Sequence, residues 1–410
     1  MSSAMGQKQI KLPDDWRLAP LSEHIWFQEG PGLRDWQFQS SGLKVINVTN
    51  LQTNGYLDLS RTDRHISWEE FDRIYKHFLV EDGDVVMASS GNSYCKTAVV
   101  RKVDLPLLMN TSVIRFKAKP HLDRLFMLVF LKSKYFKAQI DLMITGGAQP
   151  NFGPFHLKKI SIPLPPTIKE QQAIAEALSD ADALIESLEQ LIAKKRLVKQ
   201  GAMQELLIGK RRVEGFASSI KYRETEVGLM PEDWKLRAVD RIAAITTGGR
   251  NTQDRIEDGE FPFFVRSQTI ERINSFSFDG EAVLTAGDGV GTGKVFHYIN
   301  GKFDAHQRVY QIHNFAKTVN GYFFFLYFSN HFYGRIMQMT AKSSVDSVRR
   351  EMIANMLIPV PSSLQEQEAI VSTLRSMEDE IEMLLAKLAK LRTVKLGMMQ
   401  ELLTGRIRLI

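Results

Sequence analysis

Two stretches of this chain carry apolar residues at alternating steps of four and three. They are Ile174, Leu178, Ala181, Ile185, Leu188 and Ile192, and then Ile370, Leu374, Met377, Ile381, Leu384, Leu388 and Leu391. That spacing lays one apolar edge along a helix and predicts a coiled-coil seam. Prolines precede each stretch, Pro163-Leu164-Pro165-Pro166 and Pro359-Val360-Pro361, and hold the backbone extended before the helix begins. Thr167 with Glu170, and Ser363 with Glu366, have the spacing of a capping box, in which hydroxyl and carboxylate satisfy the first free N–H groups. Gly209 and Gly405 stand where a left-handed cap ends a helix. From Glu170 to Ile208 the first helix would run about 58 Å at 1.5 Å per residue.

The stretches are parts of an internal repeat. Residues 162–213 align with 358–409 at a constant shift of 196, without a gap, and 24 of 52 positions are identical, which marks a duplication. Each copy opens on a similar signature, Pro13-Asp14-Asp15-Trp16 and Pro231-Glu232-Asp233-Trp234, 218 positions apart. The first intervening block is thus longer by 22 residues, and the ends match while the middles differ. Within the middles the likeness is faint: Gly83-Asp84-Val85-Val86 beside Gly287-Asp288-Gly289-Val290, both read as turns entering strands. Segments 99–116 and 296–312 carry β-branched and aromatic runs.

Charge adds a direction to the helices. Glu170, Glu176, Asp180, Asp182, Glu186 and Glu189 precede Lys194, Lys195, Arg196 and Lys199; Glu366, Glu368, Glu378, Asp379, Glu380 and Glu382 precede Lys387, Lys390, Arg392 and Lys395. Antiparallel packing sets each acidic half beside a basic half, whereas parallel packing stacks like charges. The expected fold class is therefore α/β (mixed α+β): two globular blocks joined by two long antiparallel coiled-coil helices, in a pseudo-two-fold internal repeat. The expected boundaries are a disordered N-terminal tail at 1–11, a first block at 12–165, a helix at 166–210, a linker at 211–229, a second block at 230–361, a second helix at 362–405 and a C-terminal tail at 406–410.

Composition narrows the function. Among 410 residues there is one cysteine, Cys95, so no internal disulfide and no cysteine-based zinc set can form, and a reducing compartment is favoured. The polar start and the shortness of apolar runs such as 322–328 give no sign of a signal peptide or membrane span, so a cytoplasmic location is expected. A net charge of +6 leans toward a polyanionic partner.

Taken in order, the paired openings, the paired runs Ile162-Pro163-Leu164-Pro165-Pro166 and Ile358-Pro359-Val360-Pro361, Glu170-Gln171 and Glu366-Gln367, and the helix ends Met203-Gln204-Glu205-Leu206-Leu207 and Met399-Gln400-Glu401-Leu402-Leu403 resemble the specificity subunits of Type I restriction-modification enzymes. The resemblance spans nearly the whole chain, with Ser362-Ser363 where a second proline stands in the first copy. It implies that the blocks are target recognition domains, each reading one half of a split double-stranded DNA sequence. It implies that the helices are the spacer on which two modification (methyltransferase) subunits dock, with restriction subunits joining the assembled complex. Cofactors are then absent from this chain, and S-adenosylmethionine, ATP and Mg act on those partners.

Loops rich in Arg, Lys, Asn, Gln and Ser are the candidate DNA contacts, because these side chains bind phosphates and pair with base edges. They are Ser89, Ser90, Asn92, Tyr94, Gln149 and Asn151 in the first block, and Arg266, Gln268, Lys294, His306, Gln307, Arg308, Lys342 and Ser344 in the second. The glycine-rich run 287–295 departs from a phosphate-binding loop at Asp288 and Val295, and from a dinucleotide fingerprint at Lys294. It reads instead as a hairpin with Lys294 on a DNA phosphate. No catalytic residue and no metal ligand set is assigned, since the chain contains none of the His-Glu-x-x-His, Gly-x-Ser-x-Gly or Asn-Pro-Pro-Tyr patterns. The alternative from another class is a coiled-coil protein-protein adaptor without DNA binding.

Overall fold

The computed structural model describes residues 11–144, 150–216, 221–339 and 347–409. Residues 1–10 of the expected tail at 1–11, and the candidates Gln149, Lys342 and Ser344, lie outside the described residues. The chain divides into two compact units, Met1–Glu189 with Lys387–Ile410, and Gln190–Ala386. Each unit therefore holds one globular block with a part of both long helices, Ile168–Leu206 and Leu364–Leu402.

In the first unit β1 (Arg17–Pro20) pairs with β9 (Ser161–Leu164). Strands β2 (Ile25–Glu29), β8 (Val113–Ala118), β5 (Val85–Ala88) and β6 (Thr97–Val99) form one sheet in that order. Strands β4 (His65–Ile66), β3 (Leu43–Ile46) and β7 (Leu107–Met109) form another. In the second unit β10 (Tyr222–Thr225) and β11 (Gly228–Pro231) make a hairpin that starts in the stretch expected as linker and ends in the second block, and β12 (Lys235–Ala238) pairs with β19 (Leu357–Val360). The remaining strands make one six-stranded sheet ordered β13 (Ala244–Thr247), β18 (Val309–His313), β16 (Phe278–Ala286), β17 (Phe296–Ala305), β14 (Phe261–Phe264), β15 (Glu271–Ile273).

The middles, so unlike in sequence, share one backbone frame. Gly30 N–H donates to Val113 O at 3.0 Å, and Gly248 to Val309 at 3.2 Å; Asn110 donates to Ile46 at 2.9 Å, and His306 to Phe264 at 2.9 Å. Phe152 donates to Ser89 at 3.0 Å, and Val348 to Gly287 at 2.7 Å. Ile46 thus corresponds to Phe264 and Ser89 to Gly287, which puts most of the extra length of the first block between β3 and β5. This corrects the short likeness read from sequence. Gly83-Asp84 enters β5, whereas Gly287-Asp288 leaves β16, because two chemically similar turns sit at opposite ends of equivalent strands.

Each core is built where a block meets both helices. Trp16, Phe116, Phe126, Phe130 and Phe136 pack with Ile174, Leu178, Leu402 and Leu403 in the first unit. In the second, the helix Gly321–Met339 is capped by Asn320, whose Oδ1 accepts from Phe323 N–H at 2.9 Å. It buries Phe324, Phe328 and Phe332, four apart, with ring centroids 5.4 and 4.5 Å apart along the stack. Burial of each such ring contributes roughly 1.5–3 kcal/mol.

Within each unit the two helices run antiparallel. Asp182 pairs with Lys395 and Glu189 with Arg392 in the first; Lys195 pairs with Glu380 at 2.6 Å and Lys199 with Glu378 in the second. Leu188, Ile192, Ile381 and Leu388 are buried along the seam, and Ile185 and Leu384 half-buried. Ile174, Leu178, Ile370 and Leu374 serve the block cores as well, so the leading part of each seam also faces a globular block.

Both helix starts are capped by their hydroxyls: Glu170 N–H donates to Thr167 Oγ1, and Glu366 N–H to Ser363 Oγ, each at 3.2 Å. The reciprocal half of the expected capping box is replaced. Glu170 binds Arg408, which forks onto Asp15 at 2.8 and 2.9 Å, and Glu366 binds Arg212, which forks onto Asp233 at 3.1 Å twice. A nearly buried carboxylate gains more from a guanidinium than from a backbone N–H. Each clasp ties a block opening to the start of one helix and the residues beyond the end of the other, and the Arg408 clasp holds a residue of the expected C-terminal tail.

Candidate nucleic-acid interface

In the second unit, loops leave adjacent strand ends and are bound together. Arg250 bridges to His306, and Asp288 to Ser347. Gly248 must be glycine, since a Cβ there would lie 2.0 Å from Ala305 O. Asp288 accepts from Arg266 Nη1 at 2.8 Å and lies 3.6 Å from Arg308 Nε, so one carboxylate holds two cations at the rim. Gln268 Nε2 donates to Lys294 O at 3.1 Å, and Gln307 Nε2 to Asn251 Oδ1 at 2.7 Å. A cavity of about 360 Å³ opens between Thr247, Asp288, Arg308, Tyr310 and Arg349.

The structure thus gathers Arg266, Gln268, Lys294, Gln307 and Arg308 from separate segments onto one exposed rim. His306 is corrected: it is 6% exposed, its Nδ1 accepts from Arg308 N–H at 3.0 Å, and burial pushes its imidazole below the ordinary value, with Arg266 adding to the shift. It shapes the turn and offers no contact surface. The rim also includes Arg250, Asn251, Arg349 and Arg350, which sequence reasoning missed. The adjacent Arg349-Arg350 pair was a usable signal; Arg250 acquires its place only through residues far along the chain.

The first unit builds the same rim with other side chains. Ser90 bridges to Asn151, and Gly91 N–H donates to Pro150 O at 3.0 Å, repeating the Asp288–Ser347 contact. Asn92 and Asn151 are exposed and Ser90 half-buried. Ser89 is corrected: at 1% exposure its hydroxyl is turned inward, away from any polymer outside. Tyr94 is half-engaged, its hydroxyl donating to Asp141 at 2.7 Å while Lys137 Nζ lies 4.1 Å from the ring centroid. The neighbouring Cys95 thiol is pushed up to about 12 by burial, and so stays protonated at neutral pH. The segment after β2 exposes Trp36 at 80%, a large apolar surface residue that was not anticipated.

Among the described residues no group of three or more His, Cys, Asp or Glu could hold a metal ion, and no helix is long and apolar enough to cross a membrane. Two equivalent frames, each carrying its own polar rim and rooted on two long helices, define a duplicated recognition protein. The Type I restriction modification DNA specificity domain matches this sequence twice, at residues 37–194 and 231–393, and the chain belongs to that family. The Type I restriction enzyme MjaVIII specificity subunit of Methanocaldococcus jannaschii is 28% identical over 50% of this chain and 48% of its own. The EcoDI specificity subunit of Escherichia coli is 29% identical over 43% and 38%. The matched stretch spans less than half the length of either relative. The S subunit of a Type I system from M. genitalium has the same fold, with a TM-score of 0.56 at 15% identity over 97% of both chains.

Proposed function

We propose that this chain is the DNA-reading specificity subunit of a Type I restriction-modification complex, recognising a bipartite duplex target with one half-site per block. The observation that carries this reading is the pair of equivalent rims: the same backbone hydrogen bonds at the same strand ends, bearing different side chains. Reading two different half-sites calls for a constant frame with exchanged rim residues, because sequence is discriminated by side chains that reach base edges. The two long helices set the spacing and dock two modification (methyltransferase) subunits, through which restriction subunits join. S-adenosylmethionine, ATP and Mg act on those partners in the cytoplasm, and this chain contributes recognition without catalysis.

The test is an exchange of residues 234–356 for the block of another family member, read out by selection from a random duplex library. One half of the selected sequence should change and the other stay. A change in both halves, or in neither, refutes independent reading. Duplex binding by the purified chain that weakens steeply with salt separates this function from a protein-protein adaptor, which would show none.

A further inference from the structure

Arg250 is held at the rim of the second block from several sides. Its N–H donates to Ala305 O at 3.2 Å, and its own carbonyl accepts from Gln307 N–H at 2.8 Å. Its Nε donates to Asp304 Oδ2 at 3.0 Å. Asp304 is fully buried and accepts further from Ser275 Oγ and Ser277 Oγ, each at 2.8 Å, and from Ala305 N–H at 3.1 Å. Burial alone would raise this carboxyl, but the two hydroxyls, Arg250 and the Ala305 N–H together hold it below the usual range.

This anchor engages only Nε. Nη1 and Nη2 of Arg250 have no hydrogen-bond partner among the described residues, and the side chain is 44% exposed. A guanidinium fixed by its inner nitrogen presents its outer pair of donors in a set plane, as bidentate pairing with N7 and O6 of guanine requires. A phosphate contact needs no such orientation, because a phosphate accepts from many directions. Arg266 differs, since its Nη1 is already committed to Asp288, a partly exposed carboxylate shared with Arg308.

The first block has neither part of this device. By the hydrogen bonds that match the frames, Leu108 occupies the place of Asp304 and lies in an apolar cluster, while Gly32 stands two residues beyond Gly30 as Arg250 stands two beyond Gly248. The geometry points to Arg250 as a guanine-reading residue of the second block's half-site, with Asp304 as its positioning residue. This rests on the DNA-reading function proposed above.

The test uses the full chain and a duplex target selected from a random library. Each guanine in turn is replaced by 7-deazaguanine, which lacks the N7 acceptor. The wild-type chain should lose affinity at one guanine of the second half-site by roughly five- to a hundredfold. Arg250→Met, which keeps the length of the side chain and removes every donor, should bind the unmodified target more weakly and no longer distinguish guanine from 7-deazaguanine there, with its preferences in the first half-site unchanged. Asp304→Asn should weaken the same discrimination and no other. The inference is overturned if Arg250→Met discriminates as the wild type does, or if no guanine of that half-site is sensitive in the wild type. If the wild-type chain selects no sequence at all, the DNA-reading function fails with it.

Discussion

The two clasps that close the blocks differ in depth although they are copies of one another. Arg212 has a side-chain exposure of 4% and meets Glu366 at 2%, whereas Arg408 is 25% exposed. Trp234 Nε1 donates to Glu366 at 3.3 Å, while the buried Trp16 Nε1 has no partner among the described residues. Burial pushes the Glu366 carboxyl upward even against the pull of Arg212. Duplication copied the residues, and local packing then decided how much each pair counts, since the same ions interact more strongly where water is excluded.

The largest test removes each arginine. Arg212→Ala strands the buried Glu366 and should cost on the order of 3–5 kcal/mol, measured by urea unfolding. Arg408→Ala should cost clearly less, and equal losses would break the contrast. Gly209→Ala and Gly405→Ala should instead cost alike, on the order of 1–3 kcal/mol each. Both glycines have positive φ, +75° and +70°, and a Cβ on either would meet a proline ring at 2.6 or 2.7 Å.

Acid should separate the units further. Burial lowers the imidazoles of His297, His306 and His331 in the second unit, and of His24 in the first. A depressed folded value contributes stability above the ordinary histidine value of 6.5, which is lost as pH falls from there through the depressed value. Hydrogen exchange at falling pH should therefore show the second unit opening first. Smallest of all, Lys195→Glu with Glu380→Lys should restore what either single reversal loses, a coupling of about 0.2–1 kcal/mol in a double-mutant cycle, because both groups are solvent-exposed in part.

Legibility followed the range of the interactions. Ile174 and Leu178 could be read as helix-edge residues from spacing, yet spacing could not say that a globular core would also claim them. Thr167 and Ser363 cap as their neighbours predict, because a cap is made within one turn. Glu170 and Glu366 were read as local partners and found their arginines beyond the end of the opposite helix. Ser89 and His306 looked like surface contacts from their polarity, and only packing showed them turned inward.

The duplication and the helices with their direction were determined by the sequence alone. Periodicity, capping and charge order act over a few residues or recur at a fixed shift, so they are written along the chain. Tertiary structure decided that the dissimilar middles share one frame, which rim residues face outward, and that Arg250 is aimed by Asp304. Those outcomes depend on hydrogen bonds and burial between segments tens to hundreds of residues apart, and a side chain's surroundings exist only once those segments have met.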